Sequence, residues 1–363
     1  MEKKKPEFLR YPTEPLKVQK GKNINTLLSE MLGTGFQGRK LAECFHLWKK
    51  MLEEEKITIW LGISGAIIPA GMRELLTYVV KQRMVDAVVS TGAQLFHDMC
   101  EALGVKHFQG SPMMDDVELC KEKIDRIHDI LVEEISQRKV DRMVQEFIVT
   151  LDPDYQYSSR EFLYLLGKHL DKIAVNKESI LIQAAKSGVP LYAPALCDSS
   201  IGYSFIMARH GIEDTPDGKV LTNVGKRTFR YVDQMKDTDE TVQITNAAKK
   251  TGVIYLGGGV PKNFIQQTEL LNLILGKDLP GHEYAIQITT DNPIFGGLSG
   301  CTFKEAISWG KIAKEAKVAQ CFCDITIALP FLVHGLSEEE DIAKKRLKPY
   351  FDFESDQVKV TYK

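Results

Sequence analysis

The chain has 363 residues, 44% hydrophobic and 26% charged, a balance that excludes a disordered or fibrous protein. Its 47 basic and 49 acidic side chains leave a formal charge of −2, so no nucleic-acid-binding polycation is in view. No apolar run reaches the roughly 18 residues of a membrane helix, and the charged start lacks a signal-peptide core, so a cytoplasmic protein without a membrane partner is expected.

Residues 1–22 carry seven basic and three acidic side chains with Pro6, Pro12 and Pro15, which disfavours helix and burial and predicts an extended basic arm. From there to residue 336 short apolar runs alternate with helical patterns. Ile57 to Ile63 reads as a buried strand, followed by a helix from Arg73 to Lys81. Val85 to Ser90 is a second strand, with a helix opening at Thr91-Gly92-Ala93. Val189 to Ala195, Val253 to Gly259, Tyr284 to Thr290 and Val318 to Cys323 continue the series. The alternation predicts a single Rossmann-like α/β domain over 23–336, a doubly wound and mostly parallel sheet with helices on both faces. A helical stretch from Asp115 to about Phe147 interrupts the rhythm and is expected to pack on the same domain. Residues 337–363 read as a charged helix, then Pro349 and a tail that could add a short strand.

Strand ends of small and hydroxylated residues mark where such a sheet binds ligands. Here they are Gly62-Ile63-Ser64-Gly65, Ser90-Thr91-Gly92-Ala93, Gly257-Gly258-Gly259 and Thr289-Thr290-Asp291, a set that favours a nucleotide over a small ion. The GxGxxG dinucleotide fingerprint is absent. The seven cysteines are odd in number and scattered, and Cys321-Phe322-Cys323 matches neither a zinc knuckle nor a CxxC, so reduced thiols and no metal are expected. The histidines show no metal-ligand spacing either.

One segment carries chemistry: Gly296-Gly297-Leu298-Ser299-Gly300, then Glu305 to Ile312 with Ser308-Trp309-Gly310-Lys311. A lysine desolvated by an adjacent indole can form an imine with a carbonyl or iminium carbon. The indole face also attracts organic cations, and a carboxylate four residues earlier on a helix projects from the same side. By residue type alone, Lys311 reads more readily as a helix C-terminal lysine with Glu305 as a solvated partner, since lysines near helix ends are common.

The segment Ser308-Trp309-Gly310-Lys311-Ile312 is identical to the active-site segment of deoxyhypusine synthases, and the chain resembles that family from about Leu41 to His334. The resemblance includes Gly71-Met72-Arg73-Glu74, Pro194 to Gly202, Leu256 to Lys262, and Ala319 to Val333. It implies a homotetramer with sites at dimer interfaces and NAD as cofactor. It also implies oxidation of spermidine at the carbon beside its secondary amine, attack by the active-site lysine with release of 1,3-diaminopropane, and transfer of the aminobutyl group to an acceptor amine. In the family that acceptor is a lysine of a translation factor. By position, Lys311 resembles the imine-forming lysine, and Trp309 and Glu305 the polyamine-binding wall, with Gly296 beside them. Thr91, Gly92, Ala93, Asp198, Gly258, Thr290 and Asp324 fall where the family contacts NAD.

The departures lie in the pocket. Phe96-His97 stands where the family has two glutamates, Tyr203 and Leu298 stand for aspartates, Asn263 for a histidine and Ala66 for an asparagine. Spermidine is a trication, and each ammonium buried without a counter-charge is costly. His97 is the candidate acid–base newcomer, weighed against a structural histidine. The expectation is therefore a deoxyhypusine synthase-like transferase acting between small polyamines or related amines, as in homospermidine-type synthesis. A true deoxyhypusine synthase and an inactive regulatory subunit of an active paralogue are the alternatives, and retention of Lys311, Trp309 and Glu305 speaks against the second.

Overall fold

Six parallel strands form the centre of the molecule: β1 (Thr58–Ile63), β2 (Ala87–Ser90), β3 (Leu191–Tyr192), β4 (Thr251–Leu256), β5 (His282–Thr289) and β6 (Ile312–Phe322). They are seen in a computed structural model that describes residues 8–214, 220–222, 229–354 and 357–363. Their order across the sheet is β6-β5-β4-β1-β2-β3, that of a doubly wound dinucleotide-binding sheet. β1 is buried along its whole length, and its side chains divide by alternation between two cores. Ile59, Leu61 and Ile63 join the cluster on one face with Phe45, Trp48, Ile254 and Leu256. Trp60 joins the opposite cluster with Tyr192, Val253, Tyr255 and Phe303. The sheet is thus apolar on both sides, as parallel strands covered by helices must be.

Helices α1 (Ile24–Met31), α2 (Phe36–Glu53), α3 (Arg73–Lys81) and α4 (Gly92–Ala102) lead through the first half. The helix read at Arg73 to Lys81 has those bounds. β3 is only two residues long, because Pro190 and Pro194 flank it and cannot donate to a ladder.

The stretch from Asp115 to Phe147 is not one helical run. A short helix, Asp116–Lys121, gives way to a hairpin of Ile124–Ile127 and Ile130–Glu133, and only then comes α5 (Glu134–Val149). The reason is local. Ile124-Asp-Arg-Ile127 and Ile130-Leu-Val-Glu133 are rich in β-branched residues, and His128 turns the chain at φ 57°. Ser204 on α8 (Ser200–His210) donates to the Asp141 carbonyl of α5, tying the insertion to the domain. Helices α6 (Ser159–Ile173) and α7 (Ile180–Ser187) lie between, and α9 (Gln234–Ala247), α10 (Gly259–Ile274), α11 (Phe303–Ser308) and α12 (Ile325–Ser337) follow.

Residues 8–21 are exposed, and 12–19 have neither helix nor strand; residues 1–7 of the expected arm lie outside the described residues. At the other end a short helix (Glu340–Lys345) precedes a hairpin of Pro349–Asp352 and Lys359–Tyr362. Arg346 anchors this segment under the sheet. Its two Nη atoms donate to the Asp86 carboxylate at 2.6 and 2.9 Å, and both side chains are fully buried.

Candidate active site

The strand order reverses between β1 and β4, so a crevice opens beyond their carboxyl ends. A cavity of about 320 Å³ occupies it, lined by Ser64 to Ile67, Gly257, Gly258, Thr289 to Asp291, Ser299 and Asp324 to Thr326. Gly258, Thr290 and Asp324 are thereby brought into one wall. Asp324 is the N-cap of α12 and accepts from Thr326 N at 2.8 Å.

Two serines build the floor. Ser64 Oγ accepts from Gly258 N at 2.8 Å and Ser299 Oγ from Gly259 N at 2.9 Å. These bonds consume the first N–H groups of α10, and Pro261 has none. Further N–H groups open to a phosphate are on the loop after β1, where Gly65 turns at φ 87°. Among the described residues, the N–H groups of Gly65, Ala66 and Ile67 have no hydrogen-bond partner. Only glycine fits at Gly258: a Cβ there would lie 2.5 Å from Ser299 Cα.

Thr91, Gly92, Ala93 and Asp198 lie at the ends of the neighbouring strands, outside that cavity's lining. Thr91 is the N-cap of α4, Ala93 is exposed, and Gly92 meets the start of α8, where a Cβ would fall 2.3 Å from Ser199 Oγ. Asp198 is exposed in the turn before α8.

A second cluster forms around Lys311. α11 ends after Ser308, Trp309 is its C-cap, and Gly310 at φ 72° reverses the chain so that Lys311 N donates to Ala306 O at 3.1 Å. Lys311 therefore sits past the helix end, at the start of β6. Its Nζ donates to Asn263 Oδ1 at 3.3 Å and lies 5.4 Å from the centre of the Trp309 ring. Trp309 is 58% exposed, so within one chain the indole covers the amine only partly. Glu305 is exposed in the first turn of α11, and Gly296, at φ 67°, ends the short turn Pro293–Phe295. Ile294, Phe295 and Leu298 are exposed apolar neighbours in that loop.

Lys262 was not singled out by sequence reasoning. Its side chain is fully buried, donating to Cys301 O at 2.6 Å, Gln287 Oε1 at 3.0 Å and Ser299 O at 3.4 Å. It thus ties α10 to the loop bearing Ser299, and burial pulls its ammonium down to about 8. The only signal was its place four residues after Gly258, one helical turn behind the crevice.

Tyr203 stands exposed on α8, and His97 lies on α4. Among the described residues, no hydrogen bond or ring contact joins either to Lys311. His97 Nδ1 is 3.0 Å from His107 Nε2, and burial together with His107 pushes His97 down to about 4. Asp98, its neighbour, faces the other way and accepts from Ser179 Oγ and the N–H groups of Ile180 and Leu181 at the start of α7. All seven cysteines are free, and among the described residues no group of three or more His, Cys, Asp or Glu is placed to hold a metal. No helix among those residues is long and apolar enough to cross a membrane.

The deoxyhypusine synthase family model matches residues 26–336. A Methanosarcina acetivorans protein named "Probable deoxyhypusine synthase 2" is 47% identical over 346 residues, covering 95% of this chain and 94% of its own length. "Probable deoxyhypusine synthase 1" of the same organism is 36% identical, covering 90% and 95%. A crystal structure from Entamoeba histolytica bearing the same family name shares the fold, with a TM-score of 0.58 at 17% identity and coverage of 89% and 96%.

Proposed function

Because the chain belongs to the deoxyhypusine synthase family, we propose that it transfers an aminobutyl-type group from a polyamine, through an imine on Lys311, to an acceptor amine. The observation that carries this reading is the setting of Lys311 Nζ, between the neutral oxygen of Asn263 and the Trp309 ring. The amide oxygen and the indole aim the amine at the face where a donor carbon would lie, and imine formation proceeds from the unprotonated amine. Lys311 adds to the oxidised carbon of the donor, and the 1,3-diaminopropane nitrogen leaves with the electron pair of its C–N bond. An acceptor amine then displaces Lys311 in the same manner.

NAD is the proposed cofactor. The crevice at the switch point fits it, through the unclaimed N–H groups of residues 65–67, the hydroxyl of Thr290, and Gly258, where any side chain would strike Ser299. Bound there, NAD would accept a hydride from the donor amine and return it to the product. Thr91, Gly92, Ala93 and Asp198 extend the same side of the sheet and would bind its further part. Asp324 at the head of α12 is an acceptor for a hydroxyl.

Glu305 and Trp309 would hold the polyamine, as carboxylate and π-face. Exposed Ile294, Phe295, Leu298 and Trp309 around Lys311 support closure of the site by a second copy, within a homotetramer of the cytoplasm. The acceptor is proposed to be a small amine, because Tyr203 and Leu298 bring no charge to a triply charged donor. Higher identity to the relative named 2 than to that named 1 supports a specialised branch. The printed names of those relatives favour the second reading, in which the acceptor is a lysine of a translation factor. The test is borohydride trapping with spermidine and NAD, followed by mass spectrometry, with putrescine and the factor offered as competing acceptors. An adduct away from Lys311 overturns the mechanism, and efficient labelling of the factor selects the second reading.

A further inference from the structure

The chain runs on past residue 336, where the match to the family ends, and this last segment closes a cavity that the transfer chemistry does not use. After Arg346 the hairpin of Pro349–Asp352 and Lys359–Tyr362 lies against the domain. Arg83 Nη2 donates to Pro349 O at 2.8 Å, Val358 N to Gln243 Oε1 at 2.7 Å, and Lys249 N to the Tyr362 hydroxyl at 3.2 Å. Phe351 and Phe353, their ring centres 6.3 Å apart, both turn inward. They cover a cavity of about 200 Å³ against α6, α7 and the edge strand β3, with Leu163, Ala184, Ala185 and Leu191 among its other walls. Exposed Tyr164 and Gly188 border it on the solvent side. None of its lining residues belongs to the crevice at the switch point or to the Lys311 cluster.

The one charged side chain in that wall is Arg160. Its Nε and Nη2 donate to the two oxygens of Glu240 at 2.6 and 2.9 Å, and its guanidinium carbon lies 3.7 Å from the centre of the Phe353 ring. The carboxylate and the ring together fix the plane of the group, yet they engage only two of its three nitrogens. Nη1 is on the edge away from Glu240, and among the described residues it makes no hydrogen bond. We propose that the cavity is a ligand site for a small uncharged aromatic molecule with one hydrogen-bond acceptor, such as an amide oxygen, which Arg160 Nη1 binds while the ring lies against Phe351, Phe353 and Leu163. Size sets the first limit, since an apolar cavity of roughly 150 Å³ takes up benzene and this one has room for a single substituted ring. Apolar walls with one polar group at a fixed place are the make-up of a small-molecule pocket, and aromatic walls favour an aromatic guest. Charge sets the next limit. Glu240 already answers the guanidinium, so a second anion would meet its carboxylate and a cation would meet Arg160, each without a partner of its own. The guanidinium has only donors, so the ligand must bring the acceptor. The site stands apart from the transfer reaction and does not depend on the reading of Lys311.

The experiment is titration of the full chain, methyl-labelled at alanine and leucine, with benzamide, toluene and benzoate as probes. Benzamide is expected to shift the methyl signals of Ala184, Ala185, Leu163 and Leu191 and to leave those around the crevice in place. Toluene, which has the ring without the acceptor, should bind roughly tenfold more weakly, and benzoate more weakly than benzamide. Ala185→Leu fills the cavity and should weaken benzamide at least tenfold, while adduct trapping at Lys311 stays at the native level. Phe353→Ala, which removes a wall instead of filling the space, should weaken benzamide as well and serves if the first variant does not fold. No shift at those four residues up to the solubility limit of benzamide, or the same shifts in a folded variant, overturns the site. Toluene binding as well as benzamide, or benzoate binding better, overturns the chemistry assigned to Arg160.

Discussion

Lys311 Nζ donates to Asn263 Oδ1 across 3.3 Å, joining the third residue after α11 to the first turns of α10. The amide aims the amine without adding charge. Lys311→Ala should abolish trapping of a reduced adduct and lower turnover by at least a thousandfold, since no other amine takes its place. Asn263→Leu should leave the adduct on Lys311 but slow its formation about tenfold. Mass spectrometry of the reduced protein and single-turnover rates read both, and turnover by Lys311→Ala at the wild-type rate would remove the imine mechanism.

Gly258→Ala should weaken NAD binding by more than tenfold, because its Cβ would fall within 2.5–2.8 Å of Ser299 and force that loop from the crevice. The control is Gly297→Ala on the same loop, where a Cβ meets nothing within 4 Å. Calorimetric titration of NAD compares the two, and equal affinities would mean that the Ser299 loop does not shape the site.

Much of this was legible because parallel strands announce themselves. The runs at Ile57, Val85, Val253 and Tyr284 carry apolar residues at successive positions with few polar interruptions, so burial on both faces follows from the pattern. The hairpin at Ile124–Glu133 was lost because helical spacing and short β-runs overlap in so charged a segment, and only His128 with positive φ separates them. The Lys311 cluster was legible as a motif, but its geometry was not. Helical spacing assigns Trp309 and Glu305 to one face, whereas α11 stops at Ser308 and Gly310 redirects Lys311 into β6. Buried Lys262 was invisible, because its partners Gln287, Ser299 and Cys301 are 25 to 39 residues away.

Asp86 and Arg346 make a fully buried pair that also receives Ile59 N, at 2.8 Å, on Asp86 Oδ2. Asp86→Ala leaves an uncompensated guanidinium beneath the sheet and should cost about 3–5 kcal/mol. Urea unfolding measures it. A loss below about 1 kcal/mol would mean that the C-terminal segment is not anchored there.

His282 and Glu269 pair beneath α10, with His282 Nδ1 3.2 Å from Glu269 Oε1. Burial pushes Glu269 up to about 8 and His282 down to about 4, so the pair is neutral in the folded state. The sign follows from proton counts. Between about pH 4.5 and 6.5 an unfolded chain has the glutamate ionised and the histidine protonated, so folding changes no net proton number. From pH 6.5 to 8 the unfolded pair holds no proton while the folded pair keeps one, and stability falls as pH rises, by up to roughly 1.4 kcal/mol per unit. Glu269→Gln should remove that alkaline slope and expose the histidine's own, with stability falling as pH drops from 6.5 toward 4. Parallel stability–pH curves for the two proteins would contradict the neutral pair.

The remodelled amine pocket gives the sharpest contrast. Tyr203 is 59% exposed and Leu298 43% exposed in the single chain, at positions where the family resemblance implies aspartates. Spermidine carries three charges, and a second copy closing over Lys311 would bury them with Glu305 as the remaining carboxylate. An amine with fewer or differently spaced charges should therefore bind better than spermidine. Tyr203→Asp with Leu298→Asp should raise spermidine affinity by well over tenfold, since a buried charged contact is worth about 2–5 kcal/mol when broken. Glu305→Gln should weaken every amine alike, because its carboxylate pairs with whichever ammonium is nearest. Calorimetric titration of spermidine, putrescine and homospermidine against the three proteins separates these effects. If the aspartates leave spermidine affinity unchanged and the native protein modifies the translation-factor lysine efficiently, the pocket substitutions are silent and the chain acts as a true deoxyhypusine synthase.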